Sequence, residues 1–98
     1  MPYILFMIKS IRHKGLKRLW TKGDASGLNP KWVAKIERIL DQIDVIGAPE
    51  DLDYGIYGFH ALTGDRKGQY ALSISGNWRL VFEWDGIDAI HLDLLNYH

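Results

Sequence analysis

The chain has 98 residues, 47% hydrophobic and 24% charged, a composition typical of one folded domain and unlike that of a disordered chain. It contains no cysteine, which excludes a disulfide framework, a thiolate nucleophile and a cysteine zinc site. Twelve Lys and Arg balance twelve Asp and Glu, so the formal net charge is zero. Taken alone, this value argues against a nucleic-acid partner, since phosphates are neutralised by surplus Lys and Arg.

The charges are distributed unevenly along the chain. Residues 1–40 carry nine basic and two acidic side chains, a net charge of +7, whereas residues 41–98 carry three basic and ten acidic ones, a net charge of −7. This asymmetry indicates a basic surface that could meet an anion. The same asymmetry is also ordinary for a chain whose helices are rich in Lys and whose turns are rich in Asp. Folding can then bring the two kinds of charge together on one surface.

The first residues are apolar but do not form a targeting signal. No apolar run approaches the ~20 residues of a membrane span. The segment 1–7 lacks the basic region and small-residue cleavage site of a secretory signal. We therefore expect a single domain over residues 1–98, a cytoplasmic location and no membrane association. Met7 offers an alternative start, which would make residues 1–6 a loosely held extension.

The N-terminal half predicts a strand and two helices. Apolar and β-branched residues indicate a strand over 3–11 and a helix over 13–22, which Gly23 ends. Asn29 is a good N-cap for the second helix, and Pro30 suits its first position. An apolar stripe then recurs at helical spacing over 33–46. Gly47 predicts a left-handed cap at its end.

The C-terminal half changes to the period of two that is typical of strands. Strands are predicted over residues 57–62, 69–75, 78–84 and 90–94. Ser75-Gly76-Asn77 and Asp85-Gly86 predict hairpin turns. The alternation places Trp78 and Trp84 on the apolar face of their strand. The order of elements predicts an α+β domain, with two N-terminal helices packed on a twisted, largely antiparallel sheet of about four to five strands.

A few residues could carry acid–base or phosphate chemistry. Histidines titrate near neutrality, which singles out His60, His91 and the terminal His98. Arg79 falls on the strand face away from the apolar set, where a guanidinium could stabilise charge developing on a phosphate. The structural alternatives are hydrogen-bonded strand histidines, a solvated arginine and a frayed terminus. His91 shares a face with Asp93, but two ligands are too few for a metal, so an exposed pair is expected.

Several ordered motifs resemble one family. The segments 7–16, 60–68 and 73–82 and the terminal Asn96-Tyr97-His98 are similar to HigB-type toxins of the RelE/ParE superfamily, over about residues 7–98. The resemblance implies a type II toxin that acts as a metal-independent endoribonuclease without cofactors and cuts mRNA in the ribosomal A site. The implied partner is a HigA-like helix-turn-helix antitoxin, through which alone operator DNA is bound.

The resemblance also implies roles for individual residues. His60 and His98 would transfer protons, Arg79 would clamp the phosphate, and Tyr97 would position or stack a base. Basic side chains are expected to contact RNA and the ribosome: Lys14, Lys17, Arg18, Lys31, Lys35, Arg38, Arg66 and Lys67.

The chain departs from the family pattern at three positions. Thr63 stands where the family often has Lys, Ala61 where it often has Pro, and Asn96 where it often has Asp. An amide cannot take up a proton at neutral pH, so a potential base is missing. Two alternatives therefore accompany the nuclease: a weakened toxin that acts mainly as an antitoxin-bound regulator, and a ParE-like gyrase inhibitor on the same fold.

Overall fold

The computed structural model describes residues 8–53 and 57–96, and the predicted α+β architecture is confirmed there. Within these ranges the regular elements are helices α1 (Lys14–Lys22) and α2 (Val33–Ile43), strands β1 (His60–Ala61), β2 (Gln69–Ser75), β3 (Trp78–Trp84) and β4 (Ala89–Asn96), and 3₁₀ turns at Pro30–Trp32, Pro49–Leu52 and Gly64–Arg66. The strands form an antiparallel sheet in the order β1-β2-β3-β4. The helices pack against one face of this sheet.

Helix α1 begins and ends where the sequence predicts. The Nδ1 atom of His13 accepts a hydrogen bond from the Leu16 N–H at 3.2 Å and so caps the first turn. Gly23 ends the helix in the left-handed conformation, with a φ of 69°, which a residue without a Cβ adopts at little cost. Leu16 and Leu19 face the core, while Lys14 and Lys17 are exposed.

Helix α2 ends earlier than predicted. Asn29 caps the preceding 3₁₀ turn through its side chain, and regular α-helix runs from Val33 to Ile43. Ile46 is buried but lies beyond the helix. The predicted left-handed cap at Gly47 is wrong. The Asp51 carboxylate instead accepts the N–H groups of Gly47 and Ala48, at 2.9 and 3.1 Å, and holds this turn.

The predicted N-terminal strand is only partly described. Its residues 3–7 lie outside the described ranges. Ile8 and Ile11 form isolated parallel bridges with Ala89 and Leu92, along the edge of β4. They do not form a continuous strand, because β4 contains a β-bulge where they meet it. The oxygens of Ser10 accept the two successive N–H groups at this bulge.

The bulge also changes which side chains of β4 face the core. Val81 pairs with Asp93 but Glu83 pairs with Ile90, so one extra residue is inserted. His91 lies there with a φ of 55°. Regular alternation over the predicted strand 90–94 would place Ile90 on the face of Leu92, and this expectation is wrong, because the inserted residue reverses the alternation and places Ile90 beside Glu83.

The core lies between the helices and the apolar face of the sheet. Its fully buried large side chains include Leu16, Ile36, Ile39, Leu40, Ile43, Leu72, Leu80, Phe82 and Leu92. Trp78 and Trp84 pack against this core, as predicted. Trp32, at the start of α2, contacts Trp78 with ring centroids 5.4 Å apart. The other face of the sheet carries no helix among the described residues, and the polar strand residues project from it.

Candidate active site

The face of the sheet opposite the helices, called the open face below, is formed by outward positions of all four strands. Two transverse rows define it in the register of the strands. One row runs His60, Ala71, Val81 and Asp93, and the next runs Ser73, Arg79 and Leu95. The sheet thus brings His60 and Arg79 to one surface.

His60 lies on the short edge strand β1 and is exposed. The predicted strand 57–62 is shorter than expected, although Tyr57 and Leu62 still make single backbone bonds to β2. The neighbour of His60 across the ladder is Ala71, which is buried, as is Val81 in the same row. Standard strand spacings place the Cα atoms of His60 and Arg79 roughly 12 Å apart. The two residues thus lie on one face, in successive rows of the sheet.

The guanidinium of Arg79 is held by the β2–β3 hairpin. Its Nη1 donates to the carbonyl oxygen of Gly76 at 2.7 Å and to that of Trp78 at 3.2 Å. The side chain is half-buried. Both bonds are made by Nη1, and the three other N–H groups of the guanidinium are on Nε and Nη2. A positioned guanidinium of this kind can donate to an anion on the open face.

The end of β4 lies beside Arg79. Asn96, the last residue of the strand, is exposed and pairs with Trp78, and Leu95 pairs with Arg79. The predicted site residues Tyr97 and His98 follow directly in sequence but lie outside the described residues. Their roles stay predictions.

The predicted basic residues do not share one surface. Lys14, Lys17 and Arg18 are exposed on α1. Lys31 and Arg38 are exposed in the layer of α2. This helix layer covers the apolar face of the sheet, so these cations lie on the opposite side of the domain from the open face.

The other three predicted cations have different surroundings. Lys35 is half-buried, and its Nζ donates to the Ile74 carbonyl oxygen at 2.9 Å. Arg66 and Lys67 are exposed in the turn between β1 and β2. The Nη1 of Arg66 donates to Gln69 Oε1 at 3.0 Å. Arg66 and Lys67 are therefore the predicted cations nearest to the edge strand that carries His60.

A second polar group on the open face was not singled out by the sequence. The carboxylate of Glu83 lies 3.3 Å from His91 Nδ1 and accepts a 3.4 Å hydrogen bond from the amide of Gln69. The expected pairing of His91 with Asp93 is not formed, since Asp93 accepts the N–H of Leu94 instead. Alternation alone could have joined Gln69 to Glu83. The bulge brings His91 next to Gln69 and Glu83. No glycine in the sequence marks this bulge, although histidine tolerates positive φ better than most residues.

Two further findings concern the described part of the chain. In residues 8–53 and 57–96, no three His, Asp or Glu side chains are grouped so that they could hold a metal ion. No helix in these ranges is long and apolar enough to span a bilayer.

Comparison with known proteins agrees with the fold and the motifs. Residues 9–98 match the family described as the RelE-like toxin of type II toxin–antitoxin system HigB. Endoribonuclease HigB of Proteus vulgaris is 40% identical over 92 residues, which are 94% of this chain and 100% of that protein. The solved structure of the YoeB dimer from Staphylococcus aureus is similar, with a TM-score of 0.60 and 25% identity, over 97% of this chain and 99% of that one. The chain therefore belongs to the HigB family of RelE-like toxins, whose partners in type II systems are antitoxins.

Proposed function

We propose that this toxin is an endoribonuclease that cuts mRNA on the ribosome and thereby stops translation. The observation that carries the proposal is the placement of His60 and Arg79 on one open face of the sheet. Support also comes from the 40% identical relative, which is named an endoribonuclease. A histidine can transfer a proton and a fixed arginine can stabilise phosphate charge, and both are functions that phosphodiester cleavage uses.

The reaction uses the 2′-hydroxyl of the RNA as nucleophile. A base removes its proton, and the 2′-oxygen attacks the adjacent phosphorus. The bond from phosphorus to the 5′-oxygen of the next nucleotide then breaks, and an acid protonates that oxygen. The products are a 2′,3′-cyclic phosphate and a free 5′-hydroxyl. No metal is needed to supply the nucleophile, and DNA is not cut because it lacks this hydroxyl.

Arg79 stabilises the charge that accumulates on the phosphate oxygens. Its bonds to Gly76 and Trp78 fix the guanidinium before substrate arrives, so little reorganisation is needed during the reaction. His60 and His98 share the proton transfers, and Tyr97 positions or stacks a base. Because position 96 is an asparagine, the two histidines carry the acid–base chemistry without a carboxylate there.

The exposed cations of the helix layer supply the contact with ribosomal RNA. They lie away from the open face and can bind the ribosome while the open face holds mRNA. Reversing Lys14, Lys17 and Arg18 to Glu therefore weakens ribosome binding and lowers its dependence on salt. The toxin works in the cytoplasm, and a helix-turn-helix antitoxin both neutralises it and links it to operator DNA.

A weakened toxin is the second candidate. It is favoured by Thr63 and Asn96, which replace a cation and a carboxylate common in the family. Such a protein would act mainly as an antitoxin-bound regulator. It would bind the antitoxin as tightly as an active toxin and cut mRNA slowly.

Induced expression with mapping of mRNA 5′ ends tests the proposal. Codon-phased cuts that appear with the wild type and vanish in both Arg79→Ala and His98→Ala support the nuclease. Growth arrest with intact mRNA and damaged DNA indicates a gyrase inhibitor. The absence of growth arrest indicates the regulator. Wild-type cuts that persist unchanged in both variants would overturn the assigned site.

A further inference from the structure

Lys35 connects the helix layer to the two chain segments that carry His60 and Arg79. Its Nζ donates to the Ile74 carbonyl oxygen at 2.9 Å, a contact between residues 39 positions apart in sequence. The same Nζ lies 5.9 Å from the centroid of the Tyr57 ring, within the range of a cation–π contact. The side chain is half-buried, unlike that of Lys31.

The Ile74 contact falls on an irregularity beside Arg79. Ser73 pairs with Arg79 and Ser75 pairs with Trp78, so Ile74 is an extra residue without a partner in β3. Its side chain enters the core, and its carbonyl oxygen is bound by Lys35. This bulge determines the backbone direction of the β2–β3 hairpin. The Gly76 carbonyl oxygen of that hairpin accepts the hydrogen bond that fixes the Arg79 guanidinium. The Lys35 ammonium therefore stabilises the backbone on which the geometry of Arg79 depends.

The Tyr57 contact links Lys35 to the segment that leads into β1. The carbonyl oxygen of Tyr57 accepts the Ser73 N–H at 2.7 Å, and His60 follows three residues later. Ser73 is the ladder partner of Arg79. One ammonium group thus lies at the junction of the strand edge that presents His60 and the hairpin that presents Arg79.

We propose that Lys35 is a positioning residue that fixes the spacing between His60 and Arg79, and that it is not one of the RNA-contacting cations. The expected effect of Lys35 on the rate of RNA cleavage rests on the proposed nuclease function. Its expected structural effect, the rigidity of the hairpin, does not depend on that function. A misplacement of about 1 Å in a catalytic group can cost about 100-fold in rate.

Kinetics separate a positioning role from a phosphate contact. Lys35→Met keeps the aliphatic stem and removes the donor, Lys35→Arg keeps a donor, and Lys31→Met is the matched control at an exposed lysine of the same layer. We expect Lys35→Met to lower kcat by about 10-fold to 100-fold. The KM of Lys35→Met and the salt dependence of its binding stay those of the wild type, and Lys35→Arg recovers much of kcat. Lys31→Met, which removes a cation assigned to ribosomal RNA, instead raises KM and reduces the salt slope by about one. For Lys35→Met, a raised KM with a salt slope reduced by about one and an unchanged kcat would overturn the proposal.

Amide hydrogen exchange tests the same inference without any cleavage assay. Lys35→Met should accelerate exchange over residues 73–79 while leaving the core of α2 protected, and Lys31→Met should change neither. Protection of the hairpin equal to that of the wild type would overturn the positioning role. If the wild type cuts no RNA, the proposed function fails, and the exchange result still decides whether Lys35 orders the hairpin.

Discussion

His60 and Arg79 project from one face of the sheet, on the two strands that flank β2, and their ladder partners Ala71 and Ser73 are two residues apart. A strand places alternate residues on the same face, so this register keeps both side chains above the sheet. The helices cover the opposite face, and no helix among the described residues covers this one, although Ala71 and Val81 on it are buried. That His60 and Arg79 share this face follows from the backbone pairing of the strands and does not depend on the rotamer of either side chain.

Replacing His60 should lower the rate of RNA cleavage without unfolding the protein. The imidazole is exposed, so His60→Gln removes a proton carrier and little packing. We expect a loss of about 10²-fold to 10⁴-fold in kcat, the usual contribution of a general acid or base. His91→Gln is the matched control, because that histidine is on the same face but contacts Glu83. Equal losses in the two variants would contradict the assignment of His60.

Replacing Arg79 should cost a similar factor through electrostatics. We expect Arg79→Ala to lower kcat by about 10²-fold to 10³-fold. Arg79→Lys should recover only part of this loss, because an ammonium lacks the planar fork that donates to two phosphate oxygens. Arg12→Ala, at an exposed arginine that is not among the cations assigned to RNA, is the control. Single-turnover cleavage on purified ribosomes gives the three rates, and full activity of Arg79→Ala would refute the role.

The contact between helix α1 and the loop that follows it can be tested at Gly15. A Cβ atom there would lie 2.6 Å from the Gly27 carbonyl oxygen, which is too close. Helix propensity alone would make Gly15→Ala stabilising by about 1 kcal/mol. The close approach makes it destabilising instead, by about 1–3 kcal/mol. Thermal unfolding of Gly15→Ala beside Lys17→Ala measures the difference, and a raised Tm for Gly15→Ala would show that the loop lies elsewhere.

The hairpin between β3 and β4 should contribute stability that depends on pH. The backbone N–H groups of Asp88 and Ile87 donate to the Asp85 carboxylate and lower its pKa below the ordinary value of 3.8. Because the pKa is lower in the folded chain, the carboxylate stabilises the fold above the unfolded pKa, and this contribution disappears as pH falls through the folded value. Asp85→Ala should therefore have a lower Tm than the wild type at pH 7.

The difference between those two Tm values should shrink as the pH falls below about 4. Asp88→Ala is the control, since it keeps the N–H donor of that residue. A difference in Tm that is the same at pH 7 and pH 3 would indicate that the Asp85 carboxylate does not stabilise the turn.

Much of the fold was predictable because it depends on local patterns. The outward position of Arg79 follows from simple alternation with Trp78 and Leu80, and the end of α1 at Gly23 follows from the need for a left-handed residue. Both signals need only the few neighbouring residues of the chain. The family motifs single out His60 among the histidines, and its role stays a prediction.

Most of the rest depended on distant contacts. The turn at Gly47 is an exception, because its contact is local: the Asp51 carboxylate, four residues later, holds the turn in place of a left-handed cap. The bulge at His91 forms where Ser10, 81 residues earlier, accepts its N–H, and the contact of Lys35 with Ile74 likewise joins distant segments. The contacts at His91 and Lys35 are tertiary hydrogen bonds between segments whose meeting the local sequence pattern does not encode.

The most direct test of the nuclease account is cleavage of an mRNA with a single 2′-deoxynucleotide at a mapped cut site, presented on purified ribosomes. If the 2′-hydroxyl is the nucleophile, the wild-type toxin cuts the all-RNA message at this site and leaves the substituted message intact there, while neighbouring sites in the same message are still cut. Equal cleavage of both messages at the substituted position would contradict the mechanism.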